Sequence, residues 1–174
     1  MLSHSLRNLR ALEQEDTAVD LILWRHAEAD DARGSTGAND AIPDGERPLT
    51  ERGRKHAAQM AEWLRGQHMK NVRVFSSPAK RALETANALG LPVKVKPQLA
   101  VGASAADLLA AVDWPDHGGA VILVGHQPAL GRLASLLLAG SEADWTIKKA
   151  GVWWFTNRVR AHETQTVLRA VVNP

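Results

Sequence analysis

Residues 21–26 read Leu-Ile-Leu-Trp-Arg-His, an apolar run that stops abruptly on an arginine–histidine pair. The pattern recurs at 121–126, where Val-Ile-Leu-Val-Gly ends on His126. Short, continuous apolar runs of this kind predict strands buried on both faces, as in the parallel sheets of α/β proteins. Ligands of open α/β sheets bind outside the carboxyl ends of the strands. Two strand-end histidines with arginines nearby therefore predict an anion site that contains a candidate nucleophile.

The segments between these runs alternate accordingly. Val19 to Arg25 is the first expected strand. It is followed by a long loop, Glu28 to Pro48, rich in Asp, Gly, Ala and Pro. Thr50 to Gln67 predicts a helix, with Thr50 as N-cap and Ala57, Met60, Ala61 and Leu64 on its apolar side. Val72 to Phe75 is a short strand broken by Ser76-Ser77-Pro78, and Ala79 to Leu89 resumes as helix with Pro78 suited to its first position. Val93 to Val95 is a weak strand, and Ala103 to Val112 a helix with Ser104 as cap. A strong strand at Ala120 to Val124 precedes a helix over 129–138. Val152 to Thr156 and Thr164 to Val172 then read as two strands joined by a polar turn. This order predicts a three-layer α/β/α sandwich, mainly parallel with an antiparallel element. The chain is expected to be one domain over 19–174, preceded by an N-terminal extension over 1–18. There Leu2, Leu6, Leu9 and Leu12 recur at about helical spacing.

Composition narrows the function classes. With 21 basic against 19 acidic residues, net charge does not draw the chain to nucleic acid or membrane. Cysteine is absent, which removes disulfides, thiol catalysis and cysteine-ligated metals. No apolar stretch approaches the roughly 20 residues of a membrane span, and cytoplasmic location is expected by default. The seven histidines include no HExxH or His-x-His pair, so no metal is expected. GxxxxGK[ST], GxGxxG and GxSxG are also missing, and no cofactor is expected.

Each candidate group has a plain structural reading beside a chemical one. A neutral His26 imidazole is a nucleophile toward phosphorus when its other nitrogen is held as a donor. Arg25 beside it suits bidentate phosphoryl binding; alternatively, the pair is salt-bridged to Asp30 and Asp31. Ser76-Ser77-Pro78 opens a helix whose N-terminal dipole and Arg81 favour an anion; alternatively, Lys80 and Arg81 form a solvated face paired with Glu84. His126 follows Gly125 and opens another helix. Ser77 and Gln127 are candidate phosphate contacts in the same turns.

Four blocks together resemble the histidine phosphatase superfamily, with its phosphoglycerate-mutase-like fold, and within it the small SixA-type phosphohistidine phosphatases. They are Leu23-Trp24-Arg25-His26-Ala27-Glu28-Ala29, Arg47-Pro48-Leu49-Thr50-Glu51-Arg52-Gly53, Ser76-Ser77-Pro78 through Arg81 to Thr85-Ala86, and Val124-Gly125-His126-Gln127-Pro128. The resemblance implies that His26 is phosphorylated in turnover, that Arg25, Arg81 and His126 hold the phosphoryl group, and that Arg47 lies near the pocket mouth. Ala27 stands where the commoner form has glycine. Many members carry a glutamate general acid after the third strand, but 97–103, Pro-Gln-Leu-Ala-Val-Gly-Ala, contains no carboxylate. Glu28 or Asp107 is left as a candidate proton donor. Phosphoryl transfer passes through a loose transition state, so the leaving group matters. Imidazole, with a pKa of about 6.5, needs less help from an acid than an alkoxide. The expected activity is therefore removal of phosphate from phosphohistidine on a protein. The alternatives are a phosphatase or mutase acting on a small phosphorylated metabolite, and a non-catalytic phosphate-binding module. The short chain also predicts an open, shallow site.

Overall fold

The computed structural model describes residues 18–31, 42–116, 118–160 and 163–174. The expected N-terminal extension lies outside them, apart from Ala18. Six strands form a single mixed sheet: β1 (Val19–Arg25), β2 (Val72–Ser76), β3 (Val93–Val95), β4 (Gly119–Gly125), β5 (Val152–Arg160) and β6 (Glu163–Val172). Their spatial order is β3-β2-β4-β1-β5-β6. The first four run parallel, and β5 and β6 are antiparallel additions beside β1. The helices are α1 (Glu51–Arg65), α2 (Lys80–Asn87), α3 (Ala105–Val112) and α4 (Ala129–Ala139). The expected α/β/α architecture is the one observed.

The period-2 geometry of the strands divides the core in two. Leu21, Leu23, Val121, Leu123, Phe75 and Phe155 face α3 and α4 on one side. Ile22, Trp24, Ile122, Val124, Val74 and Trp154 face α1 and α2 on the other. Leu21 to Trp24 and Val121 to Val124 are fully buried. That is why both runs are apolar without alternation.

Helix starts follow their caps. Thr50 accepts from the Gly53 backbone N–H, and Ser104 forms a reciprocal capping box with Asp107. Pro78 does not take the first helical position. Ala79 is the N-cap of α2, because the Ser77 hydroxyl accepts from the Ala79 N–H and turns the chain before the helix begins.

Candidate active site

The parallel ladder places the functional side chains side by side. β1 and β4 pair with Arg25 opposite Gly125. The His26 N–H continues the ladder to the Gly125 carbonyl at 3.1 Å, and the Ser77 N–H does so to the Val124 carbonyl at 3.1 Å. Ser77, His126 and His26 thus leave three adjacent strands, β2, β4 and β1, at the same sheet edge. The two imidazole rings are 5.1 Å apart, centroid to centroid. His126 Nε2 lies 2.8 Å from the Ser77 hydroxyl.

His26 has its tautomer set by the backbone. Nδ1 lies 2.7 Å from the Ala27 carbonyl oxygen, which cannot donate, so Nδ1 carries the proton and Nε2 keeps its lone pair. Ala27 is fixed in turn: its N–H donates to the Thr85 hydroxyl at 3.0 Å, and that hydroxyl donates to the Arg81 carbonyl at 2.7 Å. Thr85 therefore ties the first turn of α2, with Arg81 on it, to the turn that holds His26.

Arg81 is buried. Its Nη2 pairs with the Asp44 carboxylate at 2.9 Å and its Nη1 donates to the Asp44 carbonyl. Arg25 donates from Nη1 to the Ile147 carbonyl at 2.8 Å. Arg25 Nε, Arg81 Nε and His126 Nδ1 are buried with no partner among the described residues. Three unpartnered nitrogens around one strand edge, two of them on guanidinium groups, make a cradle for an oxyanion.

Burial pushes the His26 imidazole down to about 3; the Ala27 bond opposes this, and the charges of His126, Arg81 and Arg25 add to it. Burial likewise lowers His126 to about 4, aided by Arg81 and opposed by Asp44. Both rings are neutral at neutral pH, which is the form an attacking imidazole requires. Linkage gives this a stability signature. In the unfolded chain each ring protonates near 6.5, so as pH falls the unfolded state gains protons first. Stability is lost from about pH 6.5 down to the folded values near 4 and 3. Urea titrations should lose about 2 kcal/mol per histidine between about pH 7 and pH 4.5. A His26→Asn/His126→Asn double variant should show a flatter profile, and an unchanged slope would refute the assignment.

Comparison with known proteins decides the family. Residues 21–102 match the model of the histidine phosphatase superfamily (branch 1). The phosphohistidine phosphatase SixA of Escherichia coli (strain K12) is 33% identical over 132 residues, covering 70% of this chain and 76% of that protein. The chain belongs to the histidine phosphatase superfamily. Its SixA-type branch is supported by solved structures. A protein histidine phosphatase SixA in complex with tungstate aligns with a TM-score of 0.68 at 26% identity, over 88% of this chain and 96% of that one. A protein from Nakamurella multipartitia assigned as phosphohistidine phosphatase SixA aligns with a TM-score of 0.67 at 27% identity, over 90% and 96%.

In this superfamily member, the structure sorts the remaining sequence candidates. Arg25, His26, Ser77, Arg81 and His126 come together at one strand edge. Arg47 stands beside them at one remove, pairing with Asp44 at 2.9 Å and donating to the Asp30 carbonyl at 3.1 Å. Gln127 does not join them: its amide donates to the Trp145 carbonyl at 2.9 Å and accepts from the Gly131 N–H at 2.8 Å, so both ends are used in the fold. The Asp107 carboxylate is committed to its capping box, and the Ser104 hydrogen bonds hold it below the usual carboxylate range. Glu28 accepts from the Thr50 hydroxyl at 3.1 Å and lines a groove with Arg25.

Neither plain structural pairing forms. Arg25 turns to Ile147 rather than to Asp30 or Asp31, and Glu84 accepts from the Leu49 N–H at 2.8 Å rather than pairing with Arg81. His26, His126 and Arg81 are 9%, 5% and 3% exposed, and Asp44 packs its carboxylate against the Arg81 guanidinium. Asp44 was not singled out by sequence. It lies in an ordinary Asp-Gly-Glu turn, and only the tertiary pairing reveals it.

Proposed function

We propose that the protein is a phosphatase that forms a phosphohistidine on His26 and removes phosphate from phosphohistidine on a protein. The observation that carries this reading is the His26 Nδ1 contact to the Ala27 carbonyl, which leaves Nε2 as a lone-pair donor among Arg25, Arg81 and His126. In the first step the Nε2 lone pair attacks phosphorus and the P–N bond to the substrate imidazole breaks. The departing imidazole leaves with the bonding pair and takes up a proton from solvent. In the second step water attacks the His26 phosphoryl group, releasing inorganic phosphate and restoring the neutral ring. Arg81 exchanges Asp44 for phosphoryl oxygens, and Arg25 adds a second charged fork. When Ser77 donates to His126 Nε2, the His126 proton sits on Nδ1, a donor available to a phosphoryl oxygen.

The leaving group supports the substrate class. Residues 97–103 carry no carboxylate, and Asp107 is held ionised in its cap. A poorly basic leaving imidazole suits such a site better than an alkoxide. The test compares kcat/KM for a phosphohistidine peptide with that for sugar phosphates. We expect the peptide to be favoured by about 100-fold, or roughly 3 kcal/mol in transition-state stabilisation. Comparable efficiency on both would overturn the assignment of substrate.

A further inference from the structure

Beside the strand edge lies a groove of about 380 Å³ whose lining includes Arg25, Glu28, Arg52, His56, Lys148 and Lys149. Four of these side chains are permanent cations and one is a carboxylate. That carboxylate, Glu28, is partly occupied by Thr50 at 3.1 Å and by Arg52 at 3.7 Å. Lys148 and Lys149 are exposed, and neither has a carboxylate within ion-pair distance among the described residues. The local excess of positive charge contrasts with a whole chain that is nearly balanced.

The lysine pair is held at this rim by the backbone of its own loop. The Arg25 guanidinium donates to Ile147, the Trp24 indole donates to the Ala150 carbonyl at 3.0 Å, and the Ala150 N–H donates to the His26 carbonyl at 3.2 Å. The Arg25 N–H bonds the Gly151 carbonyl at 3.1 Å, and the Gly151 N–H returns to Lys148 at 2.8 Å. The segment that carries both lysines is thus fastened to the β1 turn that presents His26. Arg25 belongs to both places, bordering the groove while standing next to His26 in the chain.

We propose that this groove docks an acidic segment of the phosphorylated protein, flanking the residue whose phosphoryl group reaches His26. The proposal deepens the phosphohistidine reading and rests on it. A groove with four cations, one of them the Arg25 that neighbours His26, recognises aspartates and glutamates spaced along a chain, and steers such a partner toward the site.

The test uses short peptides with a central phosphohistidine flanked by glutamates or by glutamines, with 1-phosphoimidazole as a substrate lacking flanks. Wild type should favour the acidic peptide by about tenfold in kcat/KM, the sum of several exposed ion pairs. An Arg52→Ala/Lys148→Ala/Lys149→Ala variant should lose that preference while hydrolysing 1-phosphoimidazole within about twofold of wild type. Equal use of the two peptides by wild type, or a preference that survives in the variant, would overturn the docking proposal and leave the reaction standing. If no phosphohistidine substrate is hydrolysed, the reading of function falls. Fluorescence anisotropy with the unphosphorylated peptides then decides the groove separately. Tighter binding of the acidic peptide that the variant loses supports it, and equal binding overturns it.

Discussion

In alkali-quenched reactions with a radiolabelled phosphoramidate donor, label should appear on the wild-type chain and be absent from His26→Ala. Steady-state turnover should fall by about four orders of magnitude or more, as expected when a covalent nucleophile is deleted. The argument is local. Among the described residues, only Nε2 of His26 combines a free lone pair, a neutral ring and a neighbouring pair of guanidinium groups. His126 sits in the same cradle, but its Nε2 is engaged by Ser77. A His126→Ala chain should therefore still accumulate label, more slowly. Alkali is the correct quench because phosphohistidine is lost in acid. Label on His26→Ala, or retained turnover by that variant in folded form, would dismiss His26 as the nucleophile.

The second large effect lies away from the reacting groups. A Cβ at Gly131 would stand 1.7 Å from the Trp145 carbonyl oxygen and 2.7 Å from its carbon. Backbone cannot yield as a flexible side chain would, so Gly131→Ala should destabilise the fold by about 3 kcal/mol. It should also disturb the Gln127 bridge that joins the start of α4 to Trp145. Gly66→Ala is the matched control. Its Cβ meets the Trp63 carbonyl at an ordinary 3.4 Å, and its φ of −64° suits any residue. A change within about 0.5 kcal/mol is expected there. Equal urea midpoints for the two variants would show that the Trp145 approach is not a constraint.

Much of this was legible in the sequence because burial on both faces leaves an unmistakable trace. The runs ending at Arg25 and Gly125 needed no alternation, and Ser104 was legible as the cap of α3, although its reciprocal partner Asp107 read as a candidate proton donor until the structure showed the capping box. What stayed hidden depends on distant partners. Spacing within α2 suggested a pairing of Arg81 with Glu84. Glu84 instead satisfies Leu49, and Arg81 meets Asp44 across 37 positions of chain. Gln127 looked like a phosphate contact because it follows His126, yet the close approach of Gly131 to Trp145 gives its amide two backbone partners. Pro78 looked like the first residue of a helix, but the Ser77 hydroxyl shifted the start to Lys80.

The register of Arg25 against Gly125 has one more consequence. Neighbouring strands lie about 4.8 Å apart, and the two histidine rings, each one step beyond that register pair, are separated by 5.1 Å. The distance between the two groups is therefore inherited from the repeat of the sheet itself, like a lattice constant, rather than negotiated by flexible side chains. Loops around the edge are free to change length and sequence over evolutionary time while that spacing persists.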